Sequence, residues 1–346
     1  MTSARVREVG ARLNKKFGDG TVVLADDVQV SERIPSGSLG LDVILGGGWP
    51  VNQCHEIIGE NSAGKTNLAY ATLAANQRRD PDWTTAWVAS ESFEKDYAQM
   101  CGVDTSRVYV VNTHIMEEAY EAVLQFAESQ AVDGIFIDSL PMLVPGQEDE
   151  KDMEQATVGR GALLTGKFFR KIGQSGRRSL TEAERPVTIW VINQYRMKIG
   201  VMHGDPRTTP GGEAKNYAFH TRVEVKRDEW LEAGVGNAKA RVGQVVRAKT
   251  IKNKSAPPQQ EARYDIYFDQ GGPVSPGNVD YAKEVVTLAI LFGLIDRAGA
   301  WYSLGKDGDP DYRRWQGKDA VTLSIREEPV LLSSLEREVL RVVKGV

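Results

Sequence analysis

The chain has 346 residues, 41% of them hydrophobic, which suffices for a substantial core in one large domain or two to three small ones. The formal net charge of -4 at pH 7 excludes a bulk basic field, so nucleic-acid binding would have to come from local basic segments. Cys54 and Cys101 are the two cysteines and no apolar run reaches membrane-spanning length, which predicts a cytoplasmic protein without a disulfide framework.

The N-terminal segment, residues 1–32, predicts a helix and a short strand ahead of the main domain. Apolar side chains recur at helical spacing at Val6, Val9, Leu13 and Phe17. Residues 21–24 then fit a strand. The two elements could fold back on their own domain or dock on a neighbouring copy, and the pattern leaves both alternatives open.

Residues 59–66 match the phosphate-binding pattern G-x-x-x-x-G-K-[ST] at every fixed position. They are Gly59, Glu60, Asn61, Ser62, Ala63, Gly64, Lys65 and Thr66. In such a loop the backbone N–H groups face the phosphates, the lysine reaches the β and γ oxygens, and the hydroxyl ligates Mg²⁺. Residues 55–58 predict the preceding strand, and residues 65–78 predict a helix whose N-terminus adds its dipole. The sequence therefore predicts a nucleoside triphosphate site.

Strands and helices alternate through the main domain. Further strands are predicted at 85–89, 107–111, 134–138 and 187–193, and helices around 93–101, 116–130 and 155–173. This alternation predicts an α/β fold with a mainly parallel sheet, which binds ligands outside the carboxyl ends of its strands. We assign residues 33–271 to this P-loop NTPase core and residues 272–346 to a small α+β C-terminal domain, where helical spacing returns at 280–292 and 331–343.

Three polar side chains follow predicted strands. Glu91, Asp138 and Gln194 stand where the carboxyl ends of the strands should meet. Phosphoryl transfer needs a metal clamp, an oriented nucleophile and a contact to the γ-phosphate. Asp138 would hold Mg²⁺ beside Thr66, Glu91 would orient or deprotonate the attacking water, and Gln194 would contact the γ-phosphate. A lone residue of this kind is more often a helix cap or turn former, but three around one phosphate loop favour the catalytic interpretation.

A long basic, glycine-containing segment, residues 195–212, begins directly after Gln194. Long irregular segments in a compact domain are usually functional or disordered. Cations for phosphates together with apolar groups for bases are what a single-strand binder needs, whereas a solvated surface loop is the simpler alternative. Attachment to a γ-phosphate contact favours a DNA-binding loop controlled by the nucleotide.

Several segments of the chain resemble the bacterial RecA recombinase family. They are residues 191–202, 211–212, 251–254 and 297–303, in the family's order with the phosphate loop and the acids. The resemblance covers almost the whole chain. It implies a DNA-dependent ATPase that uses ATP and Mg²⁺, forms helical filaments with itself on single-stranded DNA, and exchanges strands with homologous double-stranded DNA. The family can also provoke self-cleavage of a repressor, which makes such a repressor a candidate partner.

The resemblance implies roles that the residue pattern alone does not. The N-terminal helix and strand would be a polymerisation arm that packs on the adjacent subunit. Glu91 would be the catalytic glutamate and Gln194 the switch between ATP and DNA. Lys252 and Lys254 would reach across the subunit interface to the neighbour's ATP, and Tyr97 would lie near the adenine.

The resemblance also implies two DNA sites. The primary strand would be held by Arg170, Arg196, Met197, Lys198, Ile199, Gly200, Gly211 and Gly212, with Ile199 wedged between base triplets. The incoming duplex would meet Lys226, Arg227, Arg247 and Lys249, which fit a solvated charged face as well. The sequence departs from the family at Phe268, where a tyrosine is typical. It also ends without the family's usual acidic tail, so we expect duplex binding that depends less on free Mg²⁺.

Two other functional classes share part of this pattern. A hexameric helicase or clamp loader would use the same phosphate loop, parallel sheet and cations from a neighbour, but it would be expected to unwind DNA. A non-catalytic filament would bind ATP and DNA without turnover. Glu91 beside a complete phosphate loop favours turnover.

Overall fold

The computed structural model describes residues 2–18, 20–27, 32–146, 159–182, 186–197, 207–212, 214–234 and 239–345. Within these residues an eight-stranded, mostly parallel sheet is covered by helices on both faces, and a three-stranded antiparallel sheet lies in the C-terminal part. This confirms the predicted α/β class. None of the described helices has the length and apolar character that a membrane span requires.

The strands are numbered along the chain. They are β1 (Arg33–Ile34), β2 (Trp49–Pro50), β3 (Cys54–Ile58), β4 (Thr85–Ala89), β5 (Val108–Asn112), β6 (Gly134–Asp138), β7 (Thr188–Asn193), β8 (Arg196–Met197), β9 (Arg207–Thr208), β10 (Thr221–Ala233), β11 (Ala240–Asn253), β12 (Glu261–Tyr267), β13 (Asp296–Ala298), β14 (Trp301–Leu304) and β15 (Arg313–Gln316). The large sheet has the order β12-β11-β10-β3-β7-β6-β4-β5. The strands from β10 to β5 run parallel, and β11 and β12 are antiparallel additions at one edge.

Helices pack against both faces of this sheet and around the small one. Their bounds are Thr2–Phe17, Leu39–Leu45, Lys65–Arg79, Lys95–Met100, Met116–Ser129, Arg160–Glu182, Ala214–Ala218, Tyr281–Leu291, Lys318–Glu327 and Pro329–Lys344. One core lies between the sheet and the helix Lys65–Arg79, where Trp87, Phe136 and Trp190 stack in a row. The other core joins the opposite face to the helices Met116–Ser129 and Arg160–Glu182.

The sequence located the parallel strands well. The predictions at 85–89 and 134–138 match β4 and β6 to the residue. The prediction at 107–111 is shifted by one residue from β5, and that at 187–193 begins one residue before β7. The predicted strand at 21–24 is wrong. A strand needs a partner, and no described strand pairs with these residues. The Asn14 side chain takes the partner's place, since it accepts from the Val22 N–H at 2.7 Å and donates to the Val22 carbonyl at 3.0 Å.

The N-terminal helix exposes its apolar stripe. Val6 and Phe17 are 63% and 62% exposed, and Val9 is exposed as well. The segment after the helix packs against Gly10, which is buried. A Cβ at this position would lie only 3.2 Å from Val22 Cγ1. The helix thus forms a small unit with the residues after it and leaves an apolar surface.

One buried carboxylate joins the core to the C-terminal part, and a second lies in the core helix next to that contact. Glu284, on the helix Tyr281–Leu291, accepts from Ser38 Oγ at 2.7 Å and from the Gly40 N–H at 3.0 Å. Asp42, in the helix that follows Ser38, accepts from the Ser36 N–H at 2.8 Å. Burial raises the pKa of Glu284 to about 8 and the pKa of Asp42 to about 7. This contact therefore favours protonated acids.

We expect stability to fall as pH rises because of Glu284. The folded chain holds its proton up to about pH 8, whereas the unfolded chain releases it near the ordinary value of 4.5. Between these values the folded state binds more protons, so the free energy of unfolding decreases with pH, by roughly 5 kcal/mol in total for this group. Glu284→Gln cannot ionise and keeps an oxygen acceptor for Ser38 and Gly40. Thermal unfolding at pH 5, 7 and 9 should show the variant close to wild type at pH 5 and more stable at pH 9; parallel pH profiles would contradict this.

Candidate nucleotide and DNA site

The phosphate loop connects β3 to the helix Lys65–Arg79. Ser62 and Gly64 have positive φ angles of 58° and 97°, which turn the backbone into the loop, and Gly64 caps the helix. A Cβ at Gly59 would lie 2.4 Å from the Val225 carbonyl oxygen, so only glycine fits beside β10. Loop and helix N-terminus together aim N–H groups at one place, which is the arrangement that binds phosphate.

Lys65 lies at the start of this helix with its side chain largely buried. Its Nζ donates to the Glu60 carbonyl at 2.8 Å, the one hydrogen bond that the described residues give this ammonium. Burial lowers the pKa of Lys65, while the charges of Asp138 and Glu91 oppose that shift. A buried ammonium with donors to spare suits an anionic ligand.

Asp138 and Glu91 come together beside the loop, at the ends of β6 and β4. The Thr66 hydroxyl donates to Asp138 Oδ2 at 3.2 Å. The Ser139 hydroxyl donates to Glu91 Oε1 at 2.8 Å, so the residue that follows Asp138 positions the Glu91 carboxylate. Burial, followed by the charge of Glu91, raises the pKa of Asp138 to about 6. Sheet order produces this meeting, because β4 and β6 are neighbours.

These residues fit a magnesium ion. Mg²⁺ is bound through one or two protein oxygens together with substrate phosphates and water, and Thr66 and Asp138 supply such oxygens beside the phosphate loop. No group of three or more His, Cys, Asp or Glu side chains in the described part of the chain could hold a metal, so any magnesium here would depend on ligand oxygens.

Gln194 follows β7, which lies between the strand of the phosphate loop and the strand of Asp138. A buried hydrogen-bond network holds the backbone of Gln194. Asn193 Oδ1 accepts from the Gln194 N–H at 2.9 Å, and Asn193 Nδ2 donates to Glu56 Oε1 at 2.7 Å. Glu56 is fully buried and forms an ion pair with Arg222 at 2.5 Å. The network fixes the backbone from which the long segment departs.

The segment after Gln194 leaves and returns as a ribbon. β8 pairs with β9, placing Arg196 opposite Thr208 and Met197 opposite Arg207, and Arg196 and Met197 are exposed. The predicted DNA contacts Lys198, Ile199 and Gly200 lie outside the described residues.

The base of the ribbon packs on the helix Arg160–Glu182. A Cβ at Gly211 would approach Thr165 and Lys215 to 3.0 Å, and Gly212 lies over Ala162. Arg170 is exposed further along the same helix. The helix Arg160–Glu182 thus carries Arg170 and also packs against Gly211 and Gly212 of the predicted DNA site.

Lys226, Arg247 and Lys249 share one face of β10 and β11, whereas Arg227 pairs with Val246 and its guanidinium lies on the ring of Trp230. Lys226 pairs with Arg247 across the strands. Carboxylates offset part of the charge, because Arg247 lies 3.7 Å from Asp228 and 3.5 Å from Glu261, and Lys249 lies 3.3 Å from Glu261. The arrangement is compatible with both interpretations of these cations, and the duplex site stays a prediction.

Lys252 and Lys254 lie far from the chain's own phosphate loop. Asn253, between them, pairs with Thr221, which pairs with His55 near the start of β3, whereas the loop follows the end of β3. Lys252 donates to the Asn216 carbonyl at 2.6 Å. Burial, followed by the charges of Lys254 and Arg222, lowers the pKa of Lys252 to about 8. Neither lysine joins the acids of its own site.

A cavity of about 460 Å³ opens at the phosphate loop and is lined by Tyr97, whose contact with the adenine stays a prediction. The cavity is also lined by Trp230, Arg241, Gln244 and Ile266, which the sequence interpretation missed, and by Phe268, which it noted only as a departure from the family. They belong to β10, β11 and β12 or follow them, and no local motif marks them. A larger depression of about 700 Å³ elsewhere is lined by Asp80, Asp82 and Asp133, whose charges disfavour phosphate.

Known proteins resemble this chain over nearly its full length. Residues 5–272 match the model of the RecA N-terminal domain. The chain is 38% identical to a protein RecA of Thermus thermophilus over 332 residues, covering 95% of this chain and 91% of that one. It is 36% identical to those of Chloroflexus aggregans and Aquifex aeolicus, covering 94% and 95% of this chain and 88% and 90% of theirs.

Proposed function

The chain belongs to the RecA family, and from that premise we propose that it is a DNA-dependent ATPase and strand-exchange protein of recombinational DNA repair. It would act in the cytoplasm as an ATP-bound helical filament on single-stranded DNA that pairs with a homologous duplex. One observation carries the proposal. The phosphate loop, Asp138 and Glu91 meet at the carboxyl ends of the parallel strands, where the ribbon after Gln194 also begins.

The chain's own residues divide the work of hydrolysis. The loop N–H groups and Lys65 would bind the triphosphate, and Thr66 and Asp138 would hold Mg²⁺, which would neutralise charge on the phosphate oxygens. Glu91 orients the attacking water and accepts its proton, and the Ser139 hydroxyl at 2.8 Å keeps its carboxylate in place. Tyr97 contacts the base from its side of the cavity.

Gln194 couples nucleotide to DNA in this proposal. Its contact with the γ-phosphate would shift the start of the ribbon, whose other end is held by Gly211 and Gly212 against the helix Arg160–Glu182. Arg170, Arg196 and Met197 are exposed and free to meet a DNA strand, together with Lys198, Ile199 and Gly200. Lys226, Arg227, Arg247 and Lys249 would form the second DNA site.

Two features support assembly into a filament. The N-terminal helix has an exposed apolar stripe, and the outer edge strand β5 exposes Tyr109 and Val110 at 58% and 43%. No strand among the described residues pairs with the outer edge of β5, and an edge of this kind can accept a segment of another copy. Lys252 and Lys254 would then serve the neighbour's triphosphate, and hydrolysis would depend on assembly.

ATP hydrolysis with and without single-stranded DNA tests the coupling. We expect wild type to be stimulated about a hundredfold, the lower end of what a positioned acid–base group contributes. Gln194→Ala should bind ATP normally and lose the stimulation. Gln125→Ala, an exposed amide on the helix Met116–Ser129, is the control and should keep it. If wild type hydrolyses ATP at equal rates with and without DNA, the recombinase proposal is contradicted and another kind of ATPase becomes the better interpretation.

A further inference from the structure

The nucleotide cavity has a second wall that no part of the proposed function uses. Trp230, Arg241 and Phe268 form this second wall, and Tyr97, Lys65 and Thr66 line the same cavity. The cavity's 460 Å³ is within the usual range for a small-molecule site.

The second wall is tied directly to the phosphate loop. A Cβ at Gly64 would lie 3.4 Å from both Gln244 Nε2 and Ile266 Cδ1, so β11 and β12 pack on the loop itself. Trp230 pairs with Gln244 across the β10–β11 hairpin, which places both side chains on the same face of the sheet. The position of Trp230 is therefore fixed relative to the phosphates.

The local structure holds the Trp230 ring in place. The guanidinium carbons of Arg227 and Arg241 lie 4.1 and 4.7 Å from its centroid, and Phe268 meets it edge to face at 6.2 Å. Arg241 has no carboxylate partner among the described residues, so its charge serves the ring and the cavity. Register irregularities stand on both sides of Trp230, between Arg227 and Glu229 and between Leu231 and Glu232. Bulges of this kind redirect side chains next to functional sites.

From this arrangement we propose that Trp230, held by Arg227 and Arg241, is a base-contacting residue that selects purine nucleotides. The inference rests on the proposed binding of ATP at the phosphate loop. With its triphosphate at Lys65 and Thr66, a purine reaches from Tyr97 to the Trp230 wall and makes a face or edge contact with the indole. A pyrimidine, with a single ring, leaves the gap partly open.

Equilibrium binding to ATP, CTP and inorganic triphosphate separates the base from the phosphates. Trp230→Ala should weaken ATP binding about tenfold, in line with base–aromatic stacking energies, and reduce the preference for ATP over CTP. Its affinity for inorganic triphosphate should stay at the wild-type value. Trp230→Phe keeps an aromatic ring and should recover most of the ATP affinity.

Trp301→Ala is the matched control. Trp301 is another half-exposed tryptophan under an arginine, with Arg314 at 4.3 Å, but it lies in the C-terminal sheet away from the cavity. It should bind all three ligands as wild type does. Unchanged ATP affinity in Trp230→Ala, or equal losses for ATP and inorganic triphosphate, would overturn the inference while leaving the phosphate site intact. If the wild-type protein binds neither ATP nor inorganic triphosphate, the proposed function itself is overturned.

Discussion

Glu91→Gln should lower the DNA-stimulated rate of ATP hydrolysis by about a hundredfold or more, with ATP affinity nearly unchanged. The carboxylate is exposed to the cleft, stands beside Asp138, and is held by the Ser139 hydroxyl at 2.8 Å. The amide has a similar shape and can still accept that hydrogen bond, but it cannot take a proton from water. The loss should therefore appear in kcat, because binding depends on Lys65 and the phosphate loop.

Two variants sharpen this measurement. Glu94→Gln removes an exposed acid three residues away that has no side-chain capping hydrogen bond, and it should leave the rate within about twofold, as expected for a surface substitution. Ser139→Ala keeps Glu91 but removes its hydrogen bond, so an intermediate loss of rate should follow. If Glu91→Gln hydrolyses ATP at the wild-type rate, Glu91 is not the base, and a filament without turnover becomes the better interpretation.

The sequence predicted the parts of the fold whose signals are local. The strand from Gly134 to Asp138 is an apolar run that ends in an acid, and the phosphate loop is a continuous eight-residue pattern. The alternation of such runs with helices also implied that Glu91 and Asp138 would meet. These features depend on neighbours in sequence and on one general rule of sheet geometry.

The missed features depend on contacts between distant parts of the chain. β10 carries charged residues such as Arg222 and Glu224 at alternate positions and pairs with β3, far away in sequence, so its pattern did not stand out as a core strand. Trp230 reaches the cavity only through its register with Gln244. Glu56 stands in a fully buried strand, and its partners Asn193 and Arg222 are 137 and 166 residues away. A buried acid in such a strand was the one local sign that a polar partner had to exist.

Arg222→Met should destabilise the protein by about 3 kcal/mol, because it leaves the Glu56 charge buried with only the Asn193 amide as a neutral partner. The Glu56 side chain is 0% exposed and that of Arg222 17%, so water cannot replace the lost cation easily. The midpoint of urea unfolding measures the effect. The double variant Glu56→Gln with Arg222→Met has no buried charge and should recover more than half of the loss.

Arg313→Met provides the control for burial. Arg313 and Glu328 have the same 2.5 Å separation as Arg222 and Glu56, but their side chains are 41% and 37% exposed. Hydration and salt screening reduce such a pair to about 1 kcal/mol or less. If Arg222→Met costs no more than Arg313→Met, the buried pair does not stabilise the fold. A large difference would instead show that the buried network beneath Gln194 stabilises the fold around β7, as its burial predicts.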